Sequence, residues 1–350
     1  MEYSGYSQVN PQWTKFVASH SELGDLDRVG IVERRRIFGE VEAKIPPRKI
    51  PEDVANSSIT VDTFSITARD GYEIPVRSYV PGSGSAENRP VLIYLHAGGF
   101  LFGDLESGDL NCRTLAARLN ISVLNVGYRL APKWPFPHGL NDSYDATAWA
   151  AANAKTRLNA SPAAGFLVGG ISSGANFAGV IAYQARDAGL SPPITGLWIS
   201  IPVCILPQAY HLLPPEQREQ LLSLEQNAEN PLLTKKSLAD IQAIYGSPPE
   251  DPRISFLLNK DHNNLPKRAY FQICGRDPLR DEAFLWQKLL EKHSGTRSRV
   301  HLYTGMPHGF WRFLEMKSSQ EWLDDLLDGI RYLCRPDDEV KETDTIIKGV

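Results

Sequence analysis

The chain has 350 residues, 42% of them hydrophobic, enough to bury a sizeable core; for an α/β architecture of this length one domain is the expectation. A net charge of -4 and a pI near 6.1 argue against a nucleic-acid-binding surface, which needs Lys and Arg gathered in excess on one face. The four cysteines (Cys112, Cys204, Cys274, Cys334) form no CxxC pair and no zinc-like spacing with histidine, so free thiols are expected, with no metal and no cofactor. The amino-terminus lacks an apolar signal-peptide region and no run of eighteen apolar residues occurs, which points to a soluble, cytoplasmic protein without a membrane span.

From Trp13 to about Phe38 apolar residues recur at helical spacing (Phe16 and Val17, Leu23 and Leu26, Val29 and Val32), predicting one or two amphipathic helices. The run Arg34, Arg35, Arg36 is expected on a solvated helix face. Pro46, Pro47 and Pro51 end any helix there. Ile59 to Thr67 and Ile74 to Val80 alternate apolar and polar residues about the turn signal Asp70-Gly71, predicting an antiparallel hairpin.

Short apolar runs bounded by turn residues follow: Val91 to Leu95, Ile121 to Val126, Phe166 to Val168, Leu197 to Ile201, Ala269 to Ile273 and Val300 to Tyr303. Asp109 to Leu119, Ser143 to Ala154 and Gly174 to Ala188 can form crossover helices between them. Doubly buried strands alternating with helices predict an α/β fold with a mostly parallel sheet covered on both faces. The interval from Pro202 to about Asn264 breaks the rhythm, with helical stretches over Glu216 to Glu225 and Ser237 to Tyr245. An insertion of that size is expected to form its own layer, a lid over the site. The charged tail from Arg335 to Val350 is expected to fray.

Gly170-Ile171-Ser172-Ser173-Gly174 has the GxSxG form between a predicted strand and a predicted helix. A strand turning sharply into a helix strains the serine backbone and exposes its hydroxyl, with no room for bulk two residues to either side. His96-Ala97-Gly98-Gly99-Phe100 follows a strand, and paired glycines let backbone N–H groups converge on an oxyanion. The donors are assigned to Gly98 and Gly99, with a third from Ser173; His96 is read as orienting the loop. Arg276-Asp277-Pro278-Leu279-Arg280-Asp281-Glu282 and Gly305-Met306-Pro307-His308-Gly309-Phe310 also follow strands. A serine hydroxyl needs an imidazole to take its proton and a carboxylate to fix the imidazole tautomer. His308 supplies the first; Asp277, Asp281 and Glu282 all remain open for the second. The order serine, acid, histidine is the one this strand arrangement uses.

These motifs resemble the hormone-sensitive-lipase-like branch of the α/β-hydrolases, with its HGGG loop, GDSAGG elbow, DPLRDE acid segment and PHGF-type histidine. Tyr128-Arg129-Leu130-Ala131-Pro132, continuing through Pro135-Phe136-Pro137, is similar to that branch's YRLAPE and PFP segment. The resemblance covers roughly Val91 to Phe313. It implies an α/β-hydrolase fold with Asp277 as the triad acid. It also implies a helical cap from about residues 1–50 plus 203–264, a core from about 55–202 and 265–334, and metal-free hydrolysis of short to medium acyl esters. Ala97 stands in place of the first HGGG glycine, Ile171 in place of the acidic residue before the nucleophile, and Ser173 and Ala175 in place of the branch's Ala and second Gly. Loss of the acid removes polar contacts expected to brace the oxyanion loop.

Phe100, Phe102, Phe310 and Trp311 flank the catalytic loops and are assigned to an apolar substrate pocket. The expected partner is a small-molecule ester, cleaved through an acyl-serine intermediate; a homodimer is an assembly open to the chain. Two other functions compete. A biosynthetic enzyme could release, cyclise or transfer an acyl group with the same nucleophile, and a capped small-ligand receptor could share the scaffold, although His308 speaks against the receptor.

Overall fold

The computed structural model describes residues 3–20, 30–44, 49–335 and 343–349. Leu23, Leu26, Val29, Pro46 and Pro47, and the side chains of Val32, Arg34 and Arg35, lie outside the described residues. The helical reading of the amino-terminus resolves into Pro11–Ser19 and Ile31–Lys44. Asn10 caps the first by accepting from Gln12 N–H, and Trp13 and Phe16 are its buried face. On the second, Arg36 is exposed and pairs with Glu33 and Glu40.

Among the described residues a nine-stranded sheet forms the centre, in the order β1-β2-β4-β3-β5-β6-β7-β8-β9. The strands are β1 (Ile59–Thr67), β2 (Glu73–Pro81), β3 (Val91–Leu95), β4 (Ser122–Val126), β5 (Phe166–Ile171), β6 (Gly196–Ser200), β7 (Arg268–Arg276), β8 (Arg297–Pro307) and β9 (Asp344–Lys348). β1 and β2 form the antiparallel hairpin about Gly71, whose φ of +83° a glycine accepts without strain. β2 pairs antiparallel with β4, and every pairing from β4 to β9 is parallel.

Both faces of β3 to β7 are dry, so these strands read as continuous apolar runs. On β3, Val91, Ile93 and Leu95 enter one core and Leu92 and Tyr94 the other. The first core is closed by helices His138–Arg157, Ser173–Asp187 and Arg280–Ser294, the second by Asp109–Leu119 and Lys317–Leu333.

Two expectations are corrected. Part of the tail expected to fray is strand β9, pairing Asp344–Lys348 with Arg299–Tyr303 of β8. The stretch read as one helix over Glu216 to Glu225 is two single turns, Pro215–Arg218 and Ser223–Gln226, because Asp281 accepts the N–H groups of Leu222 and Ser223 and draws the second turn onto the helix that begins at Arg280. The later stretch of the insertion is one helix, Lys235–Tyr245, which lies beside Ile31–Lys44.

Candidate active site

Ser172 stands between β5 and helix Ser173–Asp187 with φ 54° and ψ -112°, a conformation a side chain rarely adopts. Its N–H is held by Ser200 O on β6 at 2.8 Å. The flanking glycines are required by contact: a Cβ on Gly170 would lie 2.3 Å from Leu95 O, and one on Gly174 2.1 Å from the same atom. Bare backbone at both positions therefore lets the elbow sit directly against the end of β3. Helix Ser173–Asp187 starts at the next residue, so its positive end and the unpaired N–H groups of its first turn face the reacting centre.

Three loops converge on this serine. His308 Nε2 lies 3.0 Å from Ser172 Oγ, and His308 Nδ1 lies 2.7 Å from Asp277 Oδ2. Asp277 is buried, and its Oδ1 accepts from Leu279 N–H at 2.9 Å. With Nδ1–H donated to the carboxylate, Nε2 is the free lone pair that faces the hydroxyl.

The three carboxylates that sequence left open have separate partners. Asp281 accepts from Leu222 and Ser223 N–H and from Arg280 Nε at 2.8 Å. Glu282 accepts from Cys204 and Ile205 N–H and from Tyr210 Oη at 2.5 Å; its burial pushes the carboxyl up to about 8. Asp281 and Glu282 thus anchor the insertion, and only Asp277 faces the imidazole.

The turn His96–Phe100, expected to bind the oxyanion, follows β3. Gly98 and Gly99 take φ +142° and +59°, and a Cβ on Gly98 would lie 1.9 Å from Phe102 O. Their N–H groups make no hydrogen bond to protein among the described residues. Ile171 is buried in the second core and offers no brace here. Instead, Tyr128 Oη donates to His96 O at 2.7 Å while its ring stacks on the imidazole at 4.1 Å. Arg129, buried, clamps Asp142 through two nitrogens and pairs with Asp70 at 2.8 Å, so the Tyr128 loop is itself fixed. Burial lowers the His96 imidazole to about 4, and its Nδ1–H bonds Ala97 O at 2.8 Å: a neutral ring that orients the turn.

A small cleft opens beside Ser172, with about 400 Å³ of empty space when the solvent at its mouth is counted. The core contributes Gly99, Phe100, Ser172 and Ser173; the insertion contributes Val203, Leu206, Leu233, Leu238, Ile241, Gln242, Tyr245 and Ser247. Phe100, at φ +65°, stacks on Tyr245 at 4.3 Å. The other three aromatics assigned to the pocket are not in its wall. Phe310 is wholly buried in the second core against Tyr303, Trp311 stacks on Trp322 at 4.6 Å, and Phe102 is partly exposed with its carbonyl over Gly98. The insertion residues were missed because no motif marks them; their one signal is the apolar spacing Leu238, Ile241, Tyr245 along one helix face.

The four cysteines are free thiols. No helix among the described residues is long and apolar enough to cross a membrane, and none of those residues form a cluster of three or more His, Cys, Asp or Glu able to hold a metal ion.

Residues 92–312 match the family described as alpha/beta hydrolase fold. The chain is 31% identical to an AB hydrolase superfamily protein of Schizosaccharomyces pombe, over 94% of each chain. It is 32% identical to the carboxylic ester hydrolase LipN of Mycobacterium tuberculosis, over 79% of this chain and 71% of that one. The solved structure of vibralactone cyclase superposes with a TM-score of 0.78 at 29% identity, over 94% of this chain and 96% of that one.

Proposed function

The chain belongs to the α/β-hydrolase-fold family, in its hormone-sensitive-lipase-like branch, and on that footing we propose that it is a serine carboxylic-ester hydrolase working on small, largely apolar esters through Ser172, His308 and Asp277. The observation that carries the reading is the unbroken relay from Ser172 Oγ through His308 to Asp277, at 3.0 and 2.7 Å. His308 Nε2 takes the hydroxyl proton as Oγ attacks the ester carbonyl carbon. The new oxyanion meets the N–H groups of Gly98, Gly99 and Ser173, and His308 then returns the proton to the departing alcohol. Water, activated by the same imidazole, releases the acid. Helix Ile31–Lys44 and the insertion serve as the cap, keeping the acyl-serine in an apolar surround. The free thiols fit a reducing compartment, the cytoplasm.

A fluorophosphonate probe tests this. It should label the wild type stoichiometrically and Ser172→Ala not at all, and His308→Ala should lower kcat by roughly three to six powers of ten with the fold intact. Equal labelling of Ser172→Ala, or full activity without His308, would remove these residues from the mechanism. A second reading, in which an internal nucleophile of the substrate accepts the acyl group, draws on the likeness to vibralactone cyclase. Strong labelling with slow turnover of simple esters would favour it.

A further inference from the structure

One face of helix Lys235–Tyr245 rests on the turn that follows β3, at two consecutive residues with left-handed backbone, Gly99 at φ +59° and Phe100 at φ +65°. Ile241 covers the first: a Cβ on Gly99 would lie 3.1 Å from Ile241 Cδ1 and 3.5 Å from both of its Cγ atoms. Tyr245, four residues on and so on the same helix face, covers the second, its ring stacked on that of Phe100 at 4.3 Å with 10° between the planes. The helix is itself fixed to the core at this end. Phe136 N–H donates to Tyr245 O at 2.9 Å, and the Phe136 ring meets Tyr245 edge-on at 5.7 Å. The Phe100 ring also packs at 5.3 Å against Phe177, on the helix that starts beside Ser172.

A bulky residue with positive φ is unfavourable by itself and persists only where its surroundings fix it. Phe100 is such a residue, and its neighbour Gly99 carries one of the N–H groups expected to meet the oxyanion. Donors of that kind work because they are aimed before charge develops, so a loosened turn loses transition-state stabilisation rather than substrate affinity. We propose that Ile241 and Tyr245 are positioning residues of the oxyanion hole: the insertion's helix clamps Gly99 and Phe100, so that the cap aims the donors as well as covering the cleft. The proposal rests on the serine-hydrolase reading and deepens it. Neither side chain forms a bond or moves a proton; each acts through the turn. Both residues also line the cleft, and a mere wall would act only through the acyl chain that reaches it. Acyl length therefore separates the two roles.

The test measures kcat and KM for 4-nitrophenyl acetate and 4-nitrophenyl hexanoate in Tyr245→Ala, Ile241→Ala and Tyr245→Phe. Tyr245→Ala should lower kcat at least about tenfold and Ile241→Ala at least about threefold, since misaiming a donor costs less than deleting one. Each loss should be the same factor for both esters, with KM changing less than kcat. Tyr245→Phe, which keeps the stacked ring, should recover the rate to within about threefold of the wild type. A short alkyl trifluoromethyl ketone gives a second readout: Ser172 Oγ adds to its carbonyl carbon, the hydroxyl proton passes to His308, and the new oxyanion occupies the same turn. Its inhibition constant should rise by the factor by which kcat/KM falls. Thermal unfolding checks that the variants fold, and Ile241 is only partly buried, so Ile241→Ala still decides the matter if Tyr245→Ala does not fold. A loss confined to the hexanoate, or no loss in either alanine variant, would overturn the proposal and leave the hydrolase reading standing. Failure of the wild type to label with fluorophosphonate would instead overturn the reading beneath it.

Discussion

Gly174 carries a constraint that the GxSxG pattern does not display. Its Cβ would meet not a movable side chain but two backbone oxygens, Leu95 O at 2.1 Å and His96 O at 2.6 Å, both at the mouth of the oxyanion turn. Adding a methyl group there must push the Ser172 elbow away from the turn proposed to stabilise the oxyanion, and under that proposal both must stay in register for the transition state. Gly174→Ala should therefore lower kcat at least about a hundredfold, with a smaller change in KM, and cost about 1–3 kcal/mol of stability. Gly5→Ala, where a Cβ meets nothing within 4 Å, is the matched control. Equal steady-state parameters for the two variants would show that the elbow tolerates displacement. Sequence made the glycine requirement legible through the turn, but not the aromatic assignments. Phe310 and Trp311 follow His308 after a single glycine, yet they lie on a single 3-10 turn that directs both rings into the second core, and closeness along the chain carries no information about that side.

At the scale of elements, the acid segment is a junction. Asp277 serves His308, Asp281 the turn at Ser223, and Glu282 the first residues of the insertion, while Arg280 binds Ser7 Oγ, Gly275 O and Gln226 Oε1. One stretch of chain therefore ties Asp277 to Ser7 near the amino-terminus and to the insertion. The strands themselves were readable because doubly buried runs bounded by turns have few alternatives, and β3 falls on the expected residues. The division of labour among three carboxylates was not readable, since the deciding partners are backbone N–H groups more than fifty residues away in sequence.

Glu282 gives this junction a pH signature. Burial raises its carboxyl from 4.5 to about 8, so between those values the native state holds a proton that the unfolded chain has released. Its contribution to stability is then complete below about pH 4.5 and is lost as the pH rises through about 8. Glu282→Gln does not titrate, so the stability gap between wild type and variant should narrow from about pH 5 to about pH 8.5 when followed by thermal unfolding at constant ionic strength. A gap that stays constant or widens would mean that the carboxyl is ionised throughout.

For the whole molecule, Asn10 and β9 meet at the edge of the sheet beside β8, the strand that leads to His308. β9 covers β8 in parallel register, and its Lys348 reaches the buried Asp325 at 2.7 Å. Asn10 Nδ2 donates to Thr304 O and Gly349 O, at 3.2 and 3.1 Å, while Asn10 Oδ1 caps the first helix. The tail's charge concealed this from sequence reading. β9 is five residues long and half exposed, so its stability comes from the ladder with β8 and from Asp325, neither of which a local pattern records. Removing residues 343–350 would strip the ladder partner from β8, leave Asp325 without Lys348 and delete one of the two carbonyls that hold Asn10. An uncovered strand edge is a template for pairing with another chain, and a buried acid without its cation destabilises the fold. The truncated protein should melt several degrees lower and self-associate with rising concentration in light scattering. Lys348→Met, which keeps the ladder but not the ion pair, should lose melting temperature without associating. If the truncated chain melted and scattered like the full one, β9 would be a passive tail, and the edge of β8 would need another explanation for its protection.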